Sequence, residues 1–206
     1  MMSPPFREIL QELVNGAQSA VLWTGTCFNP PASDDSRLLF PGSFNPLHAG
    51  HQQLADVAAN VSAEPVTYEL SVTNVDKPPL SAGQLQTRLE QFPNGGLLLT
   101  NAPLFADKGR LFPGCRFVVG MDTAQRLLAP RYYSAPDRLQ ATLQEFMDRG
   151  HQFLVGGRVN SNDEFQTAME LRVPKQFRSL FRNLSEAEFR MDISSTALRQ
   201  ARPPQG

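Results

Sequence analysis

Apolar and polar positions alternate along the chain in patterns that predict short strands separated by helices. Residues 66–72 show the clearest strand pattern, because every second residue is apolar or aromatic and the residues between them are polar. This period of two is typical of a strand with one buried face. Shorter apolar runs predict further strands at residues 37–40, 97–100, 115–120 and 152–158.

Helical spacing of apolar residues fills the intervals between these strands. Between Leu54 and Val61, apolar residues recur every three or four positions, which indicates one buried helix face. Ser81 and Gln84 form the capping-box pattern that begins another helix. Helices are predicted over residues 48–61, 84–92, 121–128, 135–150 and 194–201.

This order of strands and helices predicts an α/β fold with a Rossmann-like, doubly wound parallel sheet over residues 37–206. In such a fold, ligands bind at the carboxyl ends of the strands, where loops lead into helices. Residues 1–36 are predicted to form an N-terminal extension ahead of this domain. It comprises a helix within residues 6–18, which Gly16 could end, a short strand at 19–25 and a loop at 28–36.

Composition and charge indicate a soluble globular protein and narrow its partners. The 206 residues suit one domain, 41% of them are hydrophobic, and the formal net charge is −1. This weak charge argues against a nucleic-acid partner or a membrane-binding face, and no apolar run reaches the roughly 18 residues of a membrane span. Two distant cysteines and an N-terminus unlike a signal peptide favour the cytoplasm. A homo-oligomer is one option for the assembly.

A glycine-containing loop with two histidines carries the first candidate chemistry. Gly42, Ser43 and Phe44 follow the first predicted strand. Gly42 is expected to adopt a backbone conformation that other residues avoid, so that loop amides point outward as an anion-binding nest. His48 and His51 lie at the start of the next helix, where they share one face beside the positive helix end.

The two histidines allow three interpretations. Structural zinc needs about four ligands, and beyond the pair the chain offers only His151 and two distant cysteines. Ordinary exposed histidines at a helix start would leave the preceding loop unexplained. A phosphate contact explains the loop, the imidazoles, which can donate to phosphate oxygens, and Gly50, which lets another group approach closely. The stretch therefore favours the α-phosphate of a nucleotide.

A second polar cluster, residues 193–199, lies near the C-terminus. Ser194, Ser195 and Thr196 begin a predicted helix, so that hydroxyls and free amides converge at its positive end. Arg199 follows about one turn later, with a guanidinium suited to phosphate oxygens. An ordinary capped helix has the same pattern, but the histidine loop in the same chain favours a cradle for β- and γ-phosphates.

Both clusters resemble known motifs. Residues 42–51, "GSFNPLHAGH", resemble the HxGH signature of the nucleotidylyltransferase superfamily, and residues 193–199, "ISSTALR", resemble the ISSTxxR signature of its adenylyltransferase branch. The resemblance implies a nucleotidylyltransferase-like fold. It also implies an enzyme that transfers AMP from ATP to a phosphate-bearing acceptor and releases pyrophosphate. The second motif of the cytidylyltransferases, R-T-x-G-I-S-T, is missing from the sequence, which favours ATP over CTP.

The resemblance also implies roles for individual residues. "FVVGMDTAQRL" looks like a family segment that places Gly120 and Asp122 near the ribose and base, although Asp122 could also be a plain N-cap. "NVDKPPLS" resembles a basic loop in which Lys77 contacts phosphates, although an exposed loop lysine is the alternative. Catalytic roles are implied for His48, His51, Lys77 and Arg199. Nucleotide contacts are implied for Gly42, Ser43, Phe44, Gly50, Gly120, Asp122, Ile193, Ser194, Ser195 and Thr196.

The resemblance extends to the ligands. It implies Mg²⁺ with ATP, held largely by phosphates and water, and a small phosphorylated acceptor. Residues 38–199 look most like nicotinamide or nicotinate mononucleotide adenylyltransferases, enzymes of NAD biosynthesis, although residues 100–114 depart from the bacterial S-Y-T-x-D-T pattern. Phosphopantetheine adenylyltransferase and cytidylyltransferase are the alternative enzymes. A non-catalytic nucleotide-binding regulatory module is the alternative of another class.

Overall fold

The computed structural model describes residues 4–32, 38–75, 77–133, 136–159 and 165–184. Within these ranges the α-helices are α1 (Pro4–Asn15), α2 (Ala49–Ser62), α3 (Ala82–Leu89), α4 (Phe105–Leu111), α5 (Met121–Leu127) and α6 (Pro136–Asp148). The strands are β1 (Ala20–Trp23), β2 (Phe28–Asn29), β3 (Leu38–Pro41), β4 (Thr67–Ser71), β5 (Leu97–Thr100), β6 (Arg116–Gly120), β7 (Gln152–Gly156), β8 (Arg158–Val159), β9 (Phe165–Gln166) and β10 (Phe181–Leu184). None of these helices is long and apolar enough to span a membrane.

Eight strands form one sheet in the order β10-β7-β6-β3-β4-β5-β1-β2. The strands from β10 to β5 are all parallel to one another. These six parallel strands occur along the chain in the sequence β3, β4, β5, β6, β7 and β10. If they are renumbered 1 to 6 in that sequence, their order across the sheet, starting at β5, is 3-2-1-4-5-6, which is that of a doubly wound Rossmann fold. The predicted Rossmann-like α/β fold is therefore confirmed.

The N-terminal segment adds an antiparallel edge that the predicted parallel sheet does not include. β1 pairs antiparallel with β5, with Ala20 opposite Thr100, and β2 pairs antiparallel with β1. Residues 24–27 connect β1 to β2, and a connection this short can join only antiparallel neighbours. β2 also occupies the start of the segment 28–36, which was predicted as loop.

The predicted apolar stripe of the N-terminal helix packs against the sheet. Phe6 and Leu13 of α1 are buried in one cluster with Leu85 of α3. The indole N–H of Trp23 in β1 donates a hydrogen bond to Phe92 O at 3.0 Å. The segment from Phe6 to Phe28 therefore shares a hydrophobic core with strands and helices that follow it.

Helices cover both faces of the parallel sheet, and successive strand residues face opposite sides. In β3, Leu38 and Phe40 lie in a cluster with residues of α2. Leu39, between them, lies in the larger cluster that includes residues of α5 and α6. Because both faces are buried, the central strands read as continuous apolar runs in the sequence.

A buried ion pair joins β4 to α4. Lys108 Nζ lies 2.9 Å from Glu69 Oε1, and the two side chains are 5% and 1% exposed. Thr100 Oγ1 donates to the same carboxylate oxygen at 2.6 Å, and Lys108 also donates to Ala102 O. Lys and Glu are almost never fully buried unless they are paired, so this contact fixes α4 against the sheet.

Candidate functional site

The carboxyl ends of β3 and β6 lie side by side where the sheet reverses its winding direction. β3 pairs with β4 on one side and with β6 on the other. The loop 42–48 follows β3, and α5 follows β6 directly. A doubly wound sheet binds its ligands in the crevice at this point. The structure therefore brings the histidine loop and the Gly-x-Asp segment to the same edge of the sheet.

The two histidines lie together at the first turn of α2. His48 is the N-cap residue, with an extended backbone at φ −141° and ψ 167°. Its N–H donates to Nδ1 of His51 at 3.3 Å. The two imidazole rings stack with centroids 3.7 Å apart and planes inclined by 23°. The i, i+3 spacing thus places both rings on one face of the helix start, as the sequence pattern predicts.

Burial keeps both imidazoles neutral near pH 7. Removal from water, aided by the nearby His48, lowers the pKa of His51 to about 4. Burial also lowers the pKa of His48. Because Nδ1 of His51 accepts a hydrogen bond from a backbone N–H, its single proton lies on Nε2. His51 is therefore a neutral hydrogen-bond donor at a helix N-terminus.

Gly42 is required for space and not for an unusual backbone conformation, which corrects the prediction from the sequence. A Cβ on Gly42 would lie 2.6 Å from Cε1 and Cζ of Phe44. The left-handed backbone in this loop belongs to Phe44 itself, with φ +42°. Its ring is buried and contacts His51 edge to face at 5.3 Å between centroids. Phe44 thus supports the histidine from inside the fold, while Gly50 is buried within α2.

Two side chains, one at the end of α3 and one just beyond it, hold the histidine loop in place. Arg88 Nε donates to Ser43 O at 2.9 Å. Gln91 Nε2 donates to Phe44 O at 2.9 Å, and Gln91 Oε1 accepts from Leu47 N at 2.7 Å. Each contact satisfies a loop backbone group that a strand or helix would otherwise satisfy.

Neither side chain was among the predicted site residues, although the sequence holds one signal for Arg88. Leu85, Leu89 and Phe92 form the apolar stripe of the predicted helix, and Arg88 falls within this stripe at helical spacing. A charged residue on the buried face of a helix normally has a specific partner. Gln91 lies outside that stripe and gives no comparable signal.

Gly120 and Asp122 lie at the carboxyl end of β6. Gly120 is the N-cap residue of α5, and a Cβ there would meet nothing within 4 Å. Asp122 is therefore not the N-cap; it lies in the first turn, exposed, and pairs with Arg158 beyond β7. The ion pair joins the ends of two neighbouring parallel strands at the crevice.

The remaining predicted residues are in two groups. Lys77 is exposed in the loop between β4 and α3, on the carboxyl side of the sheet. The other group lies outside the described residues, together with the helix predicted at 194–201, and consists of Ile193, Ser194, Ser195, Thr196 and Arg199.

The described part of the chain holds no group of three or more His, Cys, Asp or Glu side chains placed to bind a metal ion. His151 comes directly before β7, and Cys115 directly before β6, so both lie at the edge opposite to His48. There Nδ1–H of His151 donates to Cys115 O at 3.0 Å. Burial raises the pKa of the Cys115 thiol to about 12. The third histidine is thus a packed core residue far from the pair.

No protein-family model matches the chain, and no curated protein matches it either.

Proposed function

We propose that the protein is a nucleotidylyltransferase that transfers AMP from ATP to a phosphate-bearing acceptor and releases pyrophosphate. The observation that supports this most is the stacked, neutral histidine pair at the N-terminus of α2. The pair directly follows the loop after β3, at the switch point where doubly wound sheets bind ligands.

The local electrostatics favour phosphate at this helix end. α2 is 14 residues long and has no acidic side chain in its first turn. Its free N–H groups and its dipole attract anions. Nε2–H of His51 adds a donor whose charge state does not change near neutral pH. These groups together suit the non-bridging oxygens of an α-phosphate.

The proposed reaction is a direct substitution at phosphorus. An oxygen of the acceptor phosphate forms a bond to the α-phosphorus of ATP, the bond from that phosphorus to the oxygen bridging to the β-phosphate breaks, and pyrophosphate leaves with the electron pair. Such transfers depend on positioning and charge stabilisation. His51 and His48 would donate to the α- and β-phosphate oxygens as negative charge shifts towards the leaving group.

The other half of the phosphate site is proposed from the resemblance. Lys77 would support the reacting phosphates, and Ser195, Thr196 and Arg199 would hold the departing pyrophosphate. Since the described residues form no carboxylate cage, Mg²⁺ would arrive on the triphosphate and neutralise part of its charge. A nicotinamide or nicotinate mononucleotide is the proposed acceptor, which would place the protein in NAD biosynthesis.

Replacement of His51 by Asn tests the proposal. Pyrophosphate release is measured with ATP and nicotinate or nicotinamide mononucleotide, with CTP and phosphopantetheine in parallel. Loss of one preorganised donor is expected to lower turnover by about a hundredfold. The matched control is Gln53→Ala, an exposed residue of the same helix, which should retain turnover. Unchanged turnover in His51→Asn would contradict the assignment. Binding of ATP without pyrophosphate release from any acceptor would favour the regulatory module.

A further inference from the structure

Arg88 combines deep burial with an incomplete set of hydrogen-bond partners. The residue is 7% exposed, at the C-terminal end of α3. Its Nε–H donates to Ser43 O at 2.9 Å, which holds the guanidinium plane against the loop after β3. An arginine carries five N–H donors in a rigid fork, so this contact uses one of them.

The rest of the guanidinium has no protein acceptor within the described ranges. No carboxylate there forms an ion pair with Arg88. Both Nη nitrogens still reach solvent, because neither is a fully buried atom without a hydrogen-bond partner. A desolvated charge without a counter-ion is costly, and arginine remains protonated at any working pH. The open side of the guanidinium is therefore suited to an anion that enters from solvent.

Gln91 only holds the loop, and its hydrogen bonding differs from that of Arg88. Its amide nitrogen donates to Phe44 O and its amide oxygen accepts from Leu47 N. Both ends of this neutral side chain are thus satisfied by the loop. Arg88 contacts the same loop one residue earlier, but it brings a full positive charge that the loop carbonyl neutralises only in part.

We propose that Arg88 binds a phosphate group of a bound substrate beside Ser43, through the guanidinium donors that the loop does not use. The identification of the anion as a substrate phosphate rests on the proposed function. The phosphate could belong to ATP or to the acceptor, and both present the same oxyanion to the bidentate fork of the guanidinium. Ser43 directly precedes Phe44, which contacts His51, so this phosphate would lie next to the histidine pair.

Nuclear magnetic resonance of the full chain tests this on the unaltered protein, and a variant of Arg88 is used only to assign signals. The protein is labelled with ¹⁵N in arginine and histidine, and Arg88 signals are assigned with Arg88→Lys. Inorganic phosphate and Mg-ATP are titrated separately. A shift of the Arg88 signals with ATP assigns the nucleotide as the source of the phosphate, and a shift with inorganic phosphate alone assigns the acceptor. If neither probe shifts them at saturation, the proposal is wrong.

A pair of variants separates anion binding from loop support. Arg88→Met and Gln91→Met each remove one loop contact, but only the first removes a charge. The probe used is the one, inorganic phosphate or Mg-ATP, that shifts the Arg88 signals. Arg88→Met is expected to weaken binding of this probe by about tenfold more than Gln91→Met. Equal losses would show that Arg88 only supports the loop. The response of His51 to ATP is read in the same spectra: if His51 does not respond, the proposed function fails, and the phosphate titration alone decides the role of Arg88.

Discussion

The imidazole rings of His48 and His51 stack with centroids 3.7 Å apart. Two imidazolium ions at this distance would repel each other, so a proton on one ring disfavours a proton on the other. The hydrogen bond from His48 N to His51 Nδ1 fixes the second ring in a single tautomer. α2 therefore begins with an N–H donor that is oriented, neutral and close to the positive helix end.

The titration of His51 should reflect this environment. Burial and the neighbouring His48 lower its pKa to about 4, so its ring signals should remain those of a neutral imidazole down to about pH 5. Histidine-selective nuclear magnetic resonance measures the midpoint. His48→Asn removes the neighbouring charge and should raise it. A midpoint near the ordinary value of about 6.5 in the unaltered protein would contradict the buried geometry.

The same shifts make stability depend on pH. All three histidines have a pKa below their ordinary value in the folded state, so the unfolded chain binds protons first as the pH falls. Their contribution to the free energy of unfolding is complete above about pH 6.5 and is lost as the pH falls through the lowered pKa values, which for His51 means down to about pH 4. Urea unfolding at several pH values measures it. His51→Asn should lose less stability on acidification than the unaltered protein, and parallel curves would contradict this.

Gly42→Ala tests the packing inside the loop. The added Cβ would overlap the Phe44 ring, and overpacking of a buried site costs about 1–3 kcal/mol of unfolding free energy. Gly83→Ala is the matched control, because a Cβ there meets nothing within 4 Å and Gly83 lies inside α3. The control should gain at most about 0.5–1 kcal/mol, the Gly-to-Ala difference in a helix interior, because Gly83 lies in the first turn of α3. Urea unfolding compares the two, and an equal gain in both would contradict the close contact.

The central strands could be predicted from sequence because burial imposes a pattern on them. The apolar runs match β3, β5, β6 and β7 to within two residues at each end, since strands covered on both faces must be apolar throughout. The edges carry no such constraint. β10, with the sequence FRNL, is half polar, and α4 has only seven residues, too few to show a helical period.

The site could be predicted only as far as it is local in the chain. His48 and His51 belong to one short motif, so their common face follows from helix geometry alone. Arg88 lies 45 residues from the loop atom it binds, and Gln91 lies 44 and 47 residues from its two. Pairing over such distances is set by the tertiary fold, and one sequence without a structure does not specify it. The steric role of Gly42 was missed for a related reason, because it depends on where the Phe44 ring packs.

Lys108→Met should be among the most destabilising substitutions in the chain. It would leave the Glu69 carboxylate, 1% exposed, with Thr100 as its remaining hydrogen-bond donor among the described residues, and loss of one partner from a buried pair costs about 3–5 kcal/mol. The double variant Glu69→Gln with Lys108→Met removes both charges and should recover a large part of that loss. Urea unfolding of the two single variants and the double variant gives the coupling energy. Additive losses would show that the two side chains do not interact in solution as they do in the fold.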